Sequence, residues 1–195
     1  MKSKAVSAKG ACLLVTAGFA ALGGSGCANE RAATGWTVHR DSAAGYRVSY
    51  PRSWYRSASN LTPNLTDPEE ILSLGTRPLR PGGACAQFPT RALAELGPGD
   101  ALVSLQERAG RPTPEFSPRA IPFRLGRPTR SEISGCAPRR RVEERFVLFR
   151  DHGRGFYAII AFGRSADRET RNDVRRILDS LVFFGPGRSR EHGTP

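Results

Sequence analysis

The chain has 195 residues, enough for one domain or at most two, and 38% of them are hydrophobic. That composition excludes wholesale disorder, a collagen-like chain and a polytopic membrane protein, and four cysteines are too few for a disulfide-dense miniature scaffold. The formal net charge is +12, and because Lys2, Lys4 and Lys9 are the only lysines, the chain beyond residue 27 carries 27 arginines against 18 acidic residues.

The first 27 residues have the three parts of a secretory signal. Residues 1–10 carry the three lysines, residues 11–22 form an apolar run, and the small residues 23–26 lead to Cys27. The apolar run has twelve residues, whereas a helix that crosses a bilayer needs about 20. We therefore predict a cleaved signal peptide, and not a transmembrane helix.

Cys27 directly follows Gly23-Gly24-Ser25-Gly26, and this arrangement resembles the lipobox of bacterial lipoproteins. In that family the cysteine sulfur is acylated and the signal is cut just before it. The resemblance therefore implies a lipid anchor on Cys27 that holds the mature chain at the extracytoplasmic side of the cell membrane. The preferred lipobox has an aliphatic residue where this chain has Gly24. The alternative is ordinary secretion, with cleavage near Ala28.

Two further cysteines form an even pair in the mature chain. Cys12 leaves with the signal, so if Cys27 carries lipid, Cys85 and Cys136 remain in an oxidising compartment. We predict a disulfide between them, which would close a loop of about fifty residues and contribute about 3–4 kcal/mol to stability. Two buried free thiols are the alternative.

The mature chain is predicted to form one domain over residues 36–185. Residues 28–35 are small and polar and are predicted to be a tether, and residues 186–195 are predicted to be a disordered tail. The domain between them has about 150 residues, enough to bury a single core.

Local patterns predict the element order β-β-β-α-β-β-β-α-β. Strands are expected at 36–40, 46–50, 70–76, 101–108, 142–150, 155–162 and 181–184, and helices at 91–96 and 167–180. Residues 111–128 contain five prolines and are expected to be a long loop. Because hairpins outnumber βαβ crossovers in this order, we predict an α+β fold in which helices flank an antiparallel β-sheet.

Two phrases near the ends of the domain resemble PsbP-like domains. One runs from Tyr46 to Trp54 and reads aromatic-x-aliphatic-x-aromatic-Pro-x-x-Trp; the other runs from Ile177 to Phe183 and reads Ile-Leu-x-Ser-Leu-x-Phe. The resemblance implies an antiparallel sheet sandwiched between helices, with Trp54 in the core. Proteins with that fold include an extrinsic photosystem II subunit, a Ran-binding nuclear-import factor and actinobacterial lipoproteins of the LpqN type. It therefore implies a binding or accessory role and no enzymatic one.

No motif in the sequence indicates a catalytic residue, a metal site or a cofactor. None of the three histidines has a Cys, His or Glu at zinc-ligand spacing, and no phosphate-binding glycine loop is present. The neighbouring carboxylates Glu69-Glu70 and Glu143-Glu144 would point to opposite faces of their strands, so neither pair predicts an acid–base dyad.

Two other function classes stay open. A cell-envelope enzyme with a dispersed site would need several of Asp151, His152, Glu143 and Ser134 to converge in one pocket. A carrier of a small hydrophobic ligand would need an apolar cavity between the sheet and a helix.

Arginine is the one compositional signal that indicates a binding partner. The segment from Arg108 to Arg141 holds nine arginines, and only Glu115 and Glu132 oppose them. From it we predict an anion-binding face made of Arg124, Arg127, Arg130, Arg139, Arg140 and Arg141. Near a membrane, each arginine would contribute about 1 kcal/mol toward acidic lipid or anionic wall polymer.

The alternative interpretation of the arginine-rich segment is that genome composition puts Arg in place of Lys on ordinary solvated faces. The predicted extracytoplasmic localisation makes nucleic acid an unsuitable partner. A protein partner stays open.

We expect the Cys27→Ala variant to leave the membrane fraction, because the thiol that would carry the lipid is gone. Fractionation of cells that express the wild type or the variant measures this. Equal release of both forms into the medium would contradict the lipid anchor.

Overall fold

The structure is a computed structural model that describes residues 35–128 and 142–185, all within one compact unit, Ala32–Pro195. Its strands are β1 (Trp36–Asp41), β2 (Tyr46–Pro51), β3 (Tyr55–Arg56), β4 (Glu69–Gly75), β5 (Ala84–Cys85), β6 (Phe88–Pro89), β7 (Ala101–Arg108), β8 (Ser117–Pro118), β9 (Val142–Asp151), β10 (Arg154–Gly163) and β11 (Val182–Phe183). Its helices are α1 (Thr90–Ala94) and α2 (Arg168–Asp179). Neither helix is long and apolar enough to cross a membrane.

All nine predicted elements are present, with ends that differ by at most two residues. Four two-residue strands were not predicted from the sequence: β3, β5, β6 and β8. Such short strands carry no periodic pattern of their own, because the neighbouring chain supplies the pairing that defines them.

The strands form a six-stranded sheet in the order β3-β4-β7-β10-β9-β8, a three-stranded sheet in the order β1-β2-β11, and the pair β5-β6. Every pairing is antiparallel except that of β8 with β9, which is parallel. An α+β fold is therefore confirmed, and the expected antiparallel sheet is corrected at one edge. Pro118, which has no N–H, is tolerated there because an edge strand forms its ladder hydrogen bonds on one side only.

The central strands of the large sheet are buried on both faces. Val103 and Ile160 belong to a core under α2 and β2, whereas Leu102 and Ile159 belong to a second core under α1. Successive residues of a strand point to opposite faces, which explains why neighbours in sequence enter different cores. The predicted burial of Trp54 is confirmed, since it lies in the core under α2.

Helix α2 packs through the face predicted from its spacing. Val174, Ile177 and Leu178 are fully buried against the large sheet. Asp167 caps the helix, since its carboxylate accepts a hydrogen bond from the Thr170 amide at 2.7 Å.

The proline-rich segment that follows β7 is anchored to the fold at two points. Arg119 forms a salt bridge with Asp151 at 2.6 Å and donates to the carbonyl of Leu178 at 3.0 Å. The Phe123 amide donates to the Asp179 carboxylate at 2.6 Å, and the Phe123 ring is buried. The segment therefore runs over the C-terminal end of α2 along a fixed path.

A buried ion pair joins the two larger sheets. Arg154 donates from Nε and Nη2 to the two carboxylate oxygens of Glu107 at 2.7 and 2.6 Å. Its remaining contacts are with the carbonyls of Gly45 at 2.8 Å and Ala44 at 2.7 Å, in the turn between β1 and β2. Both side chains are almost completely buried. The carboxylate of Glu107 neutralises the guanidinium, and the two carbonyls accept hydrogen bonds from its Nη1 and Nη2.

The turn that receives Arg154 requires a glycine. Gly45 has a φ of +65°, and a side chain at this position would collide with the carbonyl oxygen of Phe184. The Gly45 carbonyl also accepts a hydrogen bond from the Phe184 amide at 2.9 Å. The turn thus connects the ion pair to Phe184, the residue that follows β11.

We expect Glu107→Gln to lower the free energy of unfolding by about 3–5 kcal/mol, because it leaves the Arg154 charge buried without a counterion. Urea unfolding measures the loss. The control is Glu95→Gln, which removes the exposed pair of Glu95 with Arg91 and should cost less than about 1 kcal/mol. Equal losses in the two variants would contradict the expectation.

Candidate anion-binding site

A groove of about 550 Å³ lies between helix α2 and the loop that follows β8. Residues 120–126 line one side, and Arg145 on β9 with Arg171 and Arg175 on α2 line the other. We call this the arginine groove, after its four arginines: Arg124, Arg145, Arg171 and Arg175.

Buried side chains hold the loop wall of the arginine groove in place. Phe123 and Leu125 are buried, whereas Arg124 between them is exposed. The buried rings of Phe123 and Phe149 meet edge to face with centroids 5.3 Å apart. This packing fixes the backbone on both sides of Arg124 and directs its side chain away from the core.

The strand wall is made by alternate residues of β9. Glu143 and Arg145 lie two residues apart and share one face of the sheet. Arg145 Nε donates to Glu143 Oε1 at 2.8 Å, and its Nη1 donates to the carbonyl of Gly126 in the loop wall. Arg145 therefore connects the strand wall to the loop wall.

The helix wall carries a second arginine on the same carboxylate. Arg171 donates from Nη1 and Nη2 to the two oxygens of Glu143, each at 3.1 Å. Its guanidinium lies over the ring of Phe162, 4.4 Å from the centroid. Arg175, one turn further along α2, donates to the Asn172 side chain at 3.2 Å.

The charges on the lining of the arginine groove do not balance. Four guanidinium groups line the groove. Two carboxylates lie beside them, Glu143 on Arg145 and Arg171 and Asp179 on the Phe123 amide, which leaves an excess of two positive charges. In the described part of the chain, Arg124 and Arg175 pair with no carboxylate. Guanidinium groups donate in a planar fork that matches the oxygens of phosphate, sulfate or carboxylate. The arrangement is therefore suited to bind an anion.

Hydrogen bonds from Arg171 and Arg145, together with their charges, hold the pKa of Glu143 below its usual value. Glu143 therefore stays ionised at neutral pH. Its charge keeps the two arginines in place and lowers the positive charge of the groove by one.

Six arginines were predicted to bind anions, and the structure describes two of them. Arg124 lines the groove, and Arg127 lies exposed just beyond its loop wall. Arg130, Arg139, Arg140 and Arg141 lie outside the described residues.

Three of the four groove arginines were not predicted from the sequence: Arg145, Arg171 and Arg175. On α2, the spacing of Arg171 and Arg175 places both on one helix face, and this signal was present in the sequence. The position of that face beside β9 was not.

Of the three predicted cysteine sites, the structure describes one. Cys85 lies half-buried in β5. Cys27 and Cys136 lie outside the described residues, so the lipid anchor and the pairing of Cys85 with Cys136 stay predictions.

The residues required by the enzyme alternative do not converge within the described ranges. Glu143 and Asp151 stand at opposite ends of β9, about 26 Å apart along the strand. His152 Nδ1 is 2.7 Å from Asp151 Oδ1, but the His152 side chain is exposed, and Arg119 already binds that carboxylate. Ser134 lies outside the described residues.

The carrier alternative needs an apolar chamber between the large sheet and α2. Side chains fill this space: the rings of Phe156 and Phe183 stack with centroids 4.1 Å apart, and Val174 and Ile177 pack in the same core. Such packing is typical of a core and does not favour a ligand chamber.

A second concave region, of about 400 Å³, lies beside β4 and is lined mainly by polar residues. Its buried carboxylate, Glu70, accepts hydrogen bonds from the amides of Leu61 and Thr62 and from the hydroxyls of Thr62 and Ser73. Burial raises the pKa of Glu70. The carboxylate is fully occupied in holding the loop at 61–62, so it is structural.

Among the described residues, no three His, Cys, Asp or Glu side chains are placed to hold a metal ion. Comparison with known proteins finds no matching family model, no matching curated protein and no matching solved structure. The resemblance to PsbP-like domains therefore stays a prediction.

We expect Glu143→Gln to strengthen anion binding about fivefold, because loss of one negative charge equals a gain of one positive charge near the ligand. Stability should fall by about 1 kcal/mol, since two partly exposed pairs are lost. Binding to dextran sulfate and urea unfolding measure the two effects.

The control variant is Glu115→Gln, which makes the same charge change at an exposed residue outside the groove. Wild-type binding should also strengthen as the pH falls through the lowered pKa of Glu143, and Glu143→Gln should lack this step. An equal gain of affinity in Glu115→Gln would contradict a local effect.

Proposed function

We propose that this protein is a non-enzymatic binding domain of the cell envelope, anchored by lipid on Cys27 at the extracytoplasmic side of the membrane. In this proposal, the arginine groove binds an anionic envelope component. The observation that carries it is the excess of two positive charges on a groove whose walls are fixed by the fold.

The groove is pre-organised for an anion. Arg171 stacks on Phe162, and Arg145 is held between Glu143 and the Gly126 carbonyl. An anion that enters therefore meets guanidinium groups that have already lost much of their conformational freedom, which lowers the entropic cost of binding. Arg124 and Arg175 offer N–H donors that no carboxylate of the described residues occupies.

The predicted tether supports a target close to the membrane. Residues 28–35 extend over at most about 28 Å, so a domain anchored at Cys27 would stay near the lipid surface and the innermost wall polymer. Both carry phosphate or carboxylate groups. Attraction to exposed charges falls off within about 8 Å at physiological salt, so binding through this groove should weaken as salt is added.

An acidic surface on a protein partner would use the same chemistry. The groove favours a small anionic group because its donors come together from the loop wall, the strand wall and the helix wall. A protein partner is therefore the second outcome of the test and not the primary expectation.

We expect the soluble domain, residues 28–195, to bind inorganic polyphosphate and acidic vesicles at low salt. The variant Arg124→Gln with Arg175→Gln should bind about 30-fold more weakly, at about 1 kcal/mol for each arginine. Equilibrium binding over a salt series measures this.

The control variant combines Arg47→Gln with Arg80→Gln, two exposed arginines outside the groove. It has the same net charge as the groove variant and should bind like the wild type. An equal loss in both double variants, or no binding of either ligand by the wild type at low salt, would overturn the proposed function.

A further inference from the structure

Ile121 is an exposed hydrophobic residue at the edge of the arginine groove. Its side chain is 69% exposed, more than any other large hydrophobic side chain in the described ranges, and it lines the groove with its neighbours Ala120 and Pro122. A single exposed apolar residue is ordinary on a protein surface. The surroundings of Ile121, however, indicate a role in binding.

The tip of the loop, residues 120–122, is held out from the protein by an anchor on each side. Before it, Arg119 is bound to Asp151 and to the Leu178 carbonyl. After it, Phe123 is bound to Asp179 through its amide and buried through its ring. With both flanks fixed, the loop presents Ile121 to solvent.

Basic residues surround this tip. Arg124 follows it by two residues, Arg127 lies exposed further along the same loop, and Arg171 and Arg175 face it across the groove. An apolar residue flanked by basic side chains is the composition with which proteins bind the interface of an acidic membrane. The apolar part enters between headgroups while the basic part contacts phosphates.

Resting on the proposed function, we infer that the ligand of the arginine groove is the phosphate headgroup of an acidic phospholipid. Ile121 enters the boundary between headgroups and acyl chains at the same time. The lipid on Cys27 and this loop then hold the domain at two points, which fixes the side of the domain that faces the membrane.

The role of Ile121 distinguishes a lipid from the other anions of the envelope. A wall polymer or free phosphate would use the arginines and leave Ile121 in water. A bilayer would use both, because only a bilayer offers an apolar phase within reach of a side chain that stands at the rim of the groove.

The experiment measures binding of the domain, residues 28–195, to vesicles of phosphatidylcholine with and without phosphatidylglycerol, and to inorganic polyphosphate. All described residues lie in the compact unit Ala32–Pro195, so the domain retains its cores without the first 27 residues. We expect Ile121→Ala to bind acidic vesicles about tenfold more weakly, from the apolar area withdrawn from the bilayer. Its binding to polyphosphate should be unchanged.

The matched control is Val38→Ala, because Val38 is 63% exposed on β1 and does not line the groove. It should bind acidic vesicles within twofold of the wild type. A second measurement places a fluorescent reporter at the tip by Ile121→Trp in a Trp36→Phe background, where Trp54 is buried. Brominated acyl chains in acidic vesicles should quench this reporter.

Five results overturn the inference, and they fall into three classes. If Ile121→Ala binds acidic vesicles like the wild type, if Val38→Ala loses as much, or if brominated chains leave the reporter unquenched, Ile121 does not enter the bilayer. If the wild type binds polyphosphate but no acidic vesicle, the inference fails and the proposed function stands. If it binds neither, both fail.

Discussion

The ion pair between Arg154 and Glu107 is the constraint on which the arrangement of the two larger sheets depends. Two charges removed from water are unfavourable unless each is neutralised and hydrogen-bonded. Here the guanidinium meets both needs only when the turn at Ala44 and Gly45 lies against the end of β10. Other ways of packing the small sheet on the large one would leave a charge unsatisfied. The pair thus selects one packing, and this packing places β2 beneath α2.

Helix α2, once placed, becomes one wall of the arginine groove. The same helix that buries Val174 and Ile177 in the core presents Arg171 and Arg175 on another face. Glu143 then connects α2 to β9, since its carboxylate receives hydrogen bonds from arginines of both elements. The groove is therefore a product of core packing, and its positive charge sits on side chains whose positions the core determines.

The sequence predicted well what depends on local pattern. The strands from Trp36 to Phe183 and the apolar face of α2 follow from periods of two and of 3.6 residues. The groove was predicted only through Arg124, because Arg145 and Arg171 come from other parts of the chain and meet it through tertiary packing. Arg119 shows the opposite error: a count of charges treats it as part of a basic segment, whereas Asp151 neutralises it. The pairing of Glu107 with Arg154 spans 47 residues and leaves no local signal.

The short strands at the two ends of the large sheet have a consequence for proteins crowded on a surface. In the part of the chain that the structure describes, β3 and β8 close the sheet with two residues each, and Pro118 in β8 has no N–H. A long unpaired strand would offer neighbouring copies a template on which to add strand to strand. If the proposed lipid on Cys27 holds many copies in one membrane, these copies would meet each other at high local concentration. The two-residue strands β3 and β8 would give such copies little backbone to share, whereas β1, the six-residue edge strand of the small sheet, would offer more.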